Sequence, residues 1–438
     1  MVSNIATNII GFILVLGFLV YVHEAGHFLF AKLFKVRVLV FSFGFGKRLF
    51  GFQRGDTDYR VSLIPLGGYV KMAGDNPEED LPPDPHHFLS RPKWQRFLIL
   101  LAGPAMNLLI AVAFLAAFYM VGFERLREAQ PILGSILPDR PAAAAGLQQG
   151  DVILTANGEE MRTWEDFRLA IAMNANSPVR IEYLRNGERR SVVVTPERQE
   201  TDYGVAGIIG VTPFIVAEVG RVLPDSAAER AGLQAGDLLV LVDGKPIGQL
   251  GDLEEALEAG RNKSLPFVVE RRGERVELTL PSAKEVPQTY PGIVPPTVKE
   301  KLALGAAIEE SIQQNIRMVR YTFATIARMF RAEGSVKELS GPINIARISG
   351  EMLRSGWQAV VFLMANISLQ LGILNLLPIP ILDGGHIMIL AIEGIARRDL
   401  SLRVKERIQQ LGFAMLAALM LIVIYNDVIQ NVMLLRRG

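Results

Sequence analysis

Four long runs without a charged side chain mark the places where helices of this chain can cross a membrane. The runs are Met1 to Val22, Phe97 to Phe123, Trp357 to Leu382 and Ile408 to Asn426. A helix of about 20 apolar residues spans the hydrocarbon core of a bilayer. One such run can be a buried helix of a large soluble protein, but four in one chain favour four transmembrane helices.

The overall composition agrees with a membrane protein. Half of the 438 residues are hydrophobic, which is more than a soluble protein usually carries. The chain has no cysteine, so disulfides and thiolate ligands are excluded and metal chemistry would depend on histidine and carboxylate. The net charge of +1 gives no reason to expect a nucleic-acid partner.

Basic residues indicate how the chain is oriented. Residues 32–96 contain eleven Lys or Arg and residues 1–31 contain none, so the first loop is expected in the cytoplasm and the N-terminus outside. The first run lacks a basic flank and a cleavage pattern, so we interpret it as a transmembrane helix and not as a signal peptide. The long segment between the second and third runs then lies outside.

That outer segment contains an internal duplication with a constant offset of 86 residues. Leu137-Pro138-Asp139 recurs at 223–225, and Ala145-Gly146-Leu147-Gln148 recurs at 231–234. The pattern A-G-L-x-x-G-D within each copy resembles PDZ domains of bacterial membrane proteases, over residues 128–199 and 214–283. Such domains bind an extended peptide as an added strand. Three roles remain open for the pair: peptide recognition, filtering of bulky substrates, or a spacer or lid.

Residues 23–27 read H-E-A-G-H at the end of the first apolar run. Residues four apart share a helix face, so His23 and His27 can hold one zinc ion while Glu24 accepts a proton from an attacking water. Charged or polar groups in a membrane helix are energetically costly and usually functional. The alternative is two core histidines and a surface acid.

A second motif lies at the inner end of the third run. Residues 375–385 read N-L-L-P-I-P-I-L-D-G-G, and the two prolines cannot continue a helix. Irregular backbone at membrane depth is tolerated where it is buried or lines a polar cavity. Asp383 is therefore predicted as the third protein ligand of an open tetrahedral zinc site. A helix-stop role for Asp383 is the alternative, and His386 is the nearest rival ligand.

The chain resembles the site-2 protease family of intramembrane zinc metalloproteases (peptidase family M50). Three features carry the resemblance: the two motifs above, the duplicated outer module, and the run Ala102-Gly103-Pro104-Ala105-Met106-Asn107 in the second apolar run. The resemblance implies that His23, His27 and Asp383 bind Zn²⁺, that Glu24 is the catalytic base and that Asn375 helps to hold the substrate. Asn107 is a secondary candidate for substrate contact, with ordinary bonding between helices as the alternative.

The resemblance also implies a bacterial inner-membrane zinc metalloendopeptidase that cleaves transmembrane segments in regulated intramembrane proteolysis. Its expected partners are the lipid bilayer and single-pass membrane proteins such as an anti-sigma factor or remnant signal peptides. The outer modules would be periplasmic and would bind or filter periplasmic peptides. The apolar segment Val36 to Met72 would form a membrane-dipping β-hairpin that pairs with the substrate; a cytoplasmic surface hairpin is the alternative.

The predicted fold class is a polytopic α-helical membrane protein with four transmembrane helices, two tandem PDZ (α+β) domains and a membrane-associated β-hairpin. A non-catalytic PDZ membrane scaffold is the alternative function. The predicted segments are a first transmembrane helix at 1–34, a hairpin loop at 35–93, a second helix at 94–123, the two modules given above, an amphipathic juxtamembrane segment at 298–345, a third helix at 356–386 and a fourth at 407–435.

Overall fold

The computed structural model describes residues 2–76, 84–126, 130–201, 204–285, 291–330 and 341–437. Parts of the predicted hairpin loop (77–83), first outer module (128–129) and amphipathic segment (331–340) lie outside these ranges. The chain divides into two compact units, one of residues 1–121 with 301–438 and one of residues 122–300. Four helices in the described ranges are long and apolar enough to cross a membrane: Ile5–Leu33, Lys93–Val121, Trp357–Leu376 and Leu402–Ile429. The prediction of four spans is thereby confirmed.

The first span begins with helix α1 (Val2–Phe12), passes through one π-helical turn (Ile13–Gly17) and continues as α2 (Phe18–Leu33). The π turn lies where Gly17 faces the hairpin backbone, and a Cβ at Gly17 would be 2.9 Å from the Pro65 carbonyl oxygen. A glycine is needed there because two backbones approach each other closely.

The loop after α2 forms a long hairpin of strands β1 (Val38–Arg54) and β2 (Thr57–Met72), which pair antiparallel. Val40 pairs with both Lys71 and Asp58, so the first half of β1 has partners in two parts of β2. The hairpin is therefore curled back on itself. Buried hydroxyls hold the curl, with Ser42 Oγ 2.9 Å from Ser62 Oγ.

The second span is helix α3 (Lys93–Val121), which crosses α2 at a contact between small residues. A Cβ on Gly26 of α2 would be 3.0 Å from the Cα of Gly103 and closer still to the backbone of Ala102. Small residues at such a crossing allow two membrane helices to approach closely. This contact brings the face of α3 that carries Gly103 onto the H-E-A-G-H face of α2.

The outer unit contains the same arrangement twice. Its first strand, β3 (Phe123–Leu126), pairs with its last, β18 (Thr297–Glu300). The first copy comprises β4 (Leu133–Ile136), α4 (Pro141–Ala144), β5 (Val152–Ala156), β6 (Glu159–Glu160), α5 (Trp164–Ala172), β7 (Val179–Arg185) and β8 (Glu188–Val194). Strands β9 (Glu197–Thr201), β10 (Gly204–Ile208) and β11 (Val211–Pro213) follow it.

The second copy comprises β12 (Arg221–Val222), α6 (Ala227–Arg230), β13 (Leu238–Val242), β14 (Lys245–Pro246), α7 (Leu250–Ala259), β15 (Leu265–Arg271) and β16 (Glu274–Leu280), followed by β17 (Ile293–Val294). Its four-stranded sheet has the order β14-β13-β15-β16, and the sheet of the first copy has the matching order β6-β5-β7-β8. The two cores match as well, because Phe167 and Leu253, one repeat apart, are each 1% exposed. The repeat seen in the sequence is thus a repeat of the fold.

An ion pair recurs in both copies. Arg185 binds both carboxylate oxygens of Asp151 at 2.7 Å, and Arg271 binds both oxygens of Asp237 at 2.7 Å. Both carboxylates are 1% exposed. Burial raises the pKa of Asp237, but the bonds and charge of Arg271 together with the backbone N–H of Gln234 outweigh that effect and leave the pKa below its usual value.

The chain after the outer unit forms five helices among the described residues: α8 (Leu304–Phe330), α9 (Pro342–Ser355), α10 (Trp357–Leu376), α11 (Asp383–Ile395) and α12 (Leu402–Arg437). The predicted juxtamembrane segment at 298–345 is therefore not one element: strand β18 ends in it at Glu300, α8 lies within it, and α9 begins at Pro342. Helix α9 packs on α1, where a Cβ on Gly350 would be 2.7 Å from the Cα of Asn8.

The predicted third transmembrane helix at 356–386 is wrong in its extent. Helix α10 ends at Leu376, residues 377–382 are non-helical, and a separate helix, α11, begins at Asp383. Proline lacks an N–H and disfavours helical backbone at the residue before it, so Pro378 and Pro380 break the helix. Helix α12, which contains the fourth span, begins at Leu402 and not at residue 407 as predicted.

Candidate metal centre

Three predicted ligand atoms converge although they come from distant parts of the sequence. His23 Nε2 lies 3.0 Å from Asp383 Oδ2 and 3.1 Å from His27 Nε2, and His27 Nε2 lies 3.5 Å from Asp383 Oδ1. His23 and His27 project from one face of α2, and Asp383 is the first residue of α11. Among the described residues, these three form the cluster of histidine and acidic side chains that could hold a metal ion, and His386 is not part of it.

The geometry of this cluster fits a zinc ion. Two ligands of a tetrahedral zinc ion, each with a bond of 2.0 to 2.1 Å, are about 3.3 Å apart, and the observed separations bracket that value. Two imidazole nitrogens with one carboxylate oxygen form a common ligand set of catalytic zinc sites. The three protein ligands leave a fourth position for water or substrate.

Gly103 of α3 provides the space in front of the two imidazoles. A Cβ at this residue would be 2.8 Å from His23 Nε2 and in still closer contact with His27 Nε2. A methyl group would therefore press against both nitrogen atoms that the predicted ion would bind. Only glycine leaves this volume free.

The other ring nitrogens of both histidines also have partners on α3. His27 Nδ1 lies 2.8 Å from the carbonyl oxygen of Ile99 and donates to it, and His23 Nδ1 lies 3.2 Å from Asn107 Nδ2. Zinc-binding histidines usually donate their second N–H to such outer partners, which orient the ring. The sequence analysis did not identify Ile99 or Gly103, although their four-residue spacing with Asn107 is visible in the sequence.

Glu24 is held by the hairpin. The backbone N–H of Val70 in β2 donates to Glu24 Oε2 at 3.1 Å. Because Glu24 follows His23 directly in α2, the carboxylate lies beside the ligand cluster. The hairpin was predicted to pair with the substrate, and its contact with Glu24 was not predicted.

A cavity of about 500 Å³ joins these groups. Besides the three ligands and Glu24, its lining includes Val70, Asn107 and Asn375. The structure therefore brings every residue of the predicted site to one cavity. His386 also lines it.

Comparison with known proteins identifies the family to which this site belongs. The family model of peptidase family M50 matches residues 11–419. The chain belongs to peptidase family M50. It is 33% identical to the regulator of sigma-E protease RseP of Salmonella typhimurium, over 97% of this chain and 99% of that protein.

Two further M50 relatives show similar agreement. The regulator of sigma-E protease RseP of Escherichia coli is 32% identical, over 96% of this chain and 98% of that protein. A Vibrio cholerae protein named as a candidate zinc metalloprotease is 32% identical, over 97% of this chain and 99% of its own length. As a member of the M50 family with four apolar helices of spanning length, the protein is a zinc-dependent metalloprotease integral to a membrane.

Proposed function

We propose that the protein is an intramembrane zinc metalloendopeptidase that hydrolyses peptide bonds within transmembrane segments of single-pass membrane proteins. In this proposal His23, His27 and Asp383 bind the zinc ion and Glu24 is the catalytic base. The single observation that carries it is the convergence of these four side chains on one cavity between helices that have the composition of membrane spans.

The proposed chemistry divides between the ion and the protein. A zinc ion held by His23, His27 and Asp383 would polarise the scissile carbonyl and lower the pKa of a bound water toward ~7. Glu24 accepts the proton that the attacking water releases, and the C–N bond breaks as Glu24 passes that proton to the leaving amine. The products are one peptide with a new carboxylate and one with a new amine. The Val70 N–H, which donates to Glu24 Oε2, would orient this carboxylate.

A substrate helix has to unwind before it can be cleaved, because its amides are held in internal hydrogen bonds. We propose that the unwound segment lies along the β2 residues next to Glu24 as an added strand. Val70 of β2 pairs with Phe41 of β1 and lines the cavity together with Glu24, which supports this placement. Asn375, which lines the same cavity, would hold the substrate backbone.

We further propose that the two outer modules are PDZ domains. The duplicated four-stranded sheets, each with one helix between its second and third strands in sequence, support this assignment. Their role would be to bind extended peptide tails or to keep bulky substrates away from the membrane site. The positive-inside rule supports a position outside the cytoplasm for them and for the N-terminus. The four apolar helices and the bacterial relatives support insertion in a bacterial inner membrane, which would make that outer position periplasmic.

The proposed substrates are an anti-sigma factor, remnant signal peptides, or both, cleaved in regulated intramembrane proteolysis. The names of the relatives, which include the regulator of sigma-E protease, support the first of these. The chemistry of the site is compatible with either substrate, because each is a single apolar helix whose peptide bonds can be hydrolysed once it is locally unwound.

The test uses purified full-length protein in detergent with a single-span reporter substrate. Glu24→Gln should reduce cleavage by about 100-fold or more, the usual contribution of a general base, while the zinc content stays at the wild-type level. Glu309→Gln on the exposed face of α8 is the matched control and should cleave normally.

Two outcomes would contradict the proposal. Wild-type cleavage by Glu24→Gln would exclude Glu24 as the base, and cleavage that persists after zinc removal would exclude the metal mechanism. A purified protein without stoichiometric zinc or cleavage activity that still binds extended peptides would favour the non-catalytic scaffold.

A further inference from the structure

We infer that Asn107 is a positioning residue, whose amide oxygen accepts the Nδ1–H of His23 and thereby directs the Nε2 lone pair of that histidine toward the zinc position. The inference rests on the ligand set proposed above. It goes beyond it by giving Asn107 a role other than substrate contact.

Three residues on one face of α3 contact or face the two histidine rings of α2. Ile99, Gly103 and Asn107 are four apart and share that face, as His23 and His27 share a face of α2. The Ile99 carbonyl meets His27, Gly103 leaves room in front of both rings, and Asn107 meets His23. The two helices therefore form the site together, α2 with the ligands and α3 with their outer partners.

The contact between His27 and the Ile99 carbonyl indicates which kind of partner the Nδ1 atom of His23 requires. The Ile99 carbonyl can only accept, so Nδ1 of His27 carries a proton, and the neutral ring then has its lone pair on Nε2. A neutral histidine that binds zinc through Nε2 likewise carries its only proton on Nδ1, and this N–H needs an acceptor. For His23 the side chain at that position is Asn107.

The Asn107 amide can serve two protonation patterns of His23. Asn107 Nδ2 lies 3.2 Å from His23 Nδ1, and Oδ1 is buried without a hydrogen-bond partner in the described part of the chain. In this orientation the proton of His23 is on Nε2, facing Asp383 Oδ2 at 3.0 Å. A half-turn of the amide exchanges its nitrogen and oxygen, which have nearly the same size, and lets Oδ1 accept from Nδ1–H.

The two orientations therefore correspond to two states of the site. With the amide nitrogen toward His23, the imidazole is suited to its bond with Asp383. With the amide oxygen toward His23, the Nε2 lone pair is free for the ion.

The backbone of Asn107 is held independently of its side chain. Ser368 Oγ on α10 donates to the Asn107 carbonyl oxygen at 2.8 Å, and both residues are fully buried. Removing the Ser368 hydroxyl disturbs the contact between α3 and α10 but leaves the amide on His23. Ser368→Ala is therefore the matched control for packing effects.

The experiment measures zinc affinity of the detergent-solubilised full-length protein by competition with a chromophoric chelator. Asn107→Leu has nearly the same size but no acceptor, and it should weaken zinc binding by about 10- to 100-fold. Asn107→Asp accepts only and should bind zinc as tightly as wild type or more tightly. Ser368→Ala should retain the wild-type zinc affinity.

Two results would overturn the positioning role: wild-type zinc affinity in Asn107→Leu, or an equal loss in Asn107→Asp and Asn107→Leu. If Asn107→Leu does not fold, Asn107→Asp decides alone, and a tenfold loss of affinity in it contradicts the inference. His23→Ala separates the two proposals. Wild-type zinc binding in His23→Ala would refute the ligand set itself, whereas loss there with retention in Asn107→Leu would refute only the role of Asn107.

Discussion

The backbone N–H of Val70 donates to Glu24 Oε2 at 3.1 Å, which couples the hairpin to the proposed catalytic base. At Val70, strand β2 pairs with β1 and also contacts the side chain of Glu24 in α2. The hairpin, which was predicted from the sequence to pair with the substrate, therefore also orients the carboxylate of Glu24. Loss of the Val70 N–H should therefore affect the chemical step.

Removing the Val70 N–H should lower activity without removing zinc. Val70→Pro deletes the donor, and because a hydrogen bond to a charged group contributes about 1.5 to 3 kcal/mol, cleavage should fall roughly 10- to 100-fold. Val70→Ala keeps the N–H and serves as the control. Cleavage rate and bound zinc are measured on the same samples, and a Val70→Pro enzyme as active as Val70→Ala would show that the contact is dispensable.

Gly103→Ala should abolish zinc binding although it adds only one methyl group. The new carbon would lie against both Nε2 atoms, in the volume that the ion requires. Gly305→Ala in α8 is the control, because a Cβ there meets nothing within 4 Å. The zinc content of each purified variant is the measurement. Stoichiometric zinc in Gly103→Ala would mean that the ion is held elsewhere.

The buried Asp237–Arg271 pair should make the second outer module sensitive to acid. The pKa of Asp237 is lower in the folded than in the unfolded protein, so its stabilisation is complete above the unfolded value of about 4 and is lost as the pH falls through the folded value. Asp237→Asn should remove this acid dependence and cost about 2 to 4 kcal/mol at neutral pH.

Hydrogen exchange of β13 and β15 in the full-length protein, followed from pH 6 to pH 3, measures this effect. Asp243→Asn is the matched control, because the Asp243–Lys263 pair is exposed and should contribute less than about 1 kcal/mol. Equal protection of the two strands in both variants would contradict the prediction.

Asp427 of α12 should hold the beginning of α9. Its carboxylate accepts from the backbone N–H groups of Gly341, Ile343 and Asn344 at 3.0 to 3.1 Å. Loss of such a cap costs about 0.5 to 2 kcal/mol, so Asp427→Ala should speed hydrogen exchange in residues 341–355. Asp427→Asn retains one acceptor and should lie between Asp427→Ala and wild type. Unchanged exchange in Asp427→Ala would show that α9 is held by its packing on α1 alone.

Local patterns in the sequence were sufficient for four spans, the duplicated outer fold and the residues of the candidate site. These features follow from hydropathy over about 20 residues, from a constant offset and from the four-residue repeat of a helix. The same reasoning extended the third segment to residue 386, although it recognised that Pro378 and Pro380 cannot continue a helix. In the sequence, Gly341-Pro342 indicated only that the preceding helical segment ends there, and not that a new helix, α9, begins.

The tertiary structure alone decided which groups surround the predicted ligands. The Ile99 carbonyl and the Val70 N–H are backbone groups, which nearly every residue type has, so the identities of these residues carry little chemical signal. Gly103 matters because it lacks a side chain, and the sequence does not show which groups that space faces. They became part of the site because the crossing of α2 and α3 and the curl of the hairpin bring them there. The sequence by itself thus determined the side chains that can do chemistry, and packing between distant segments determined what orients them.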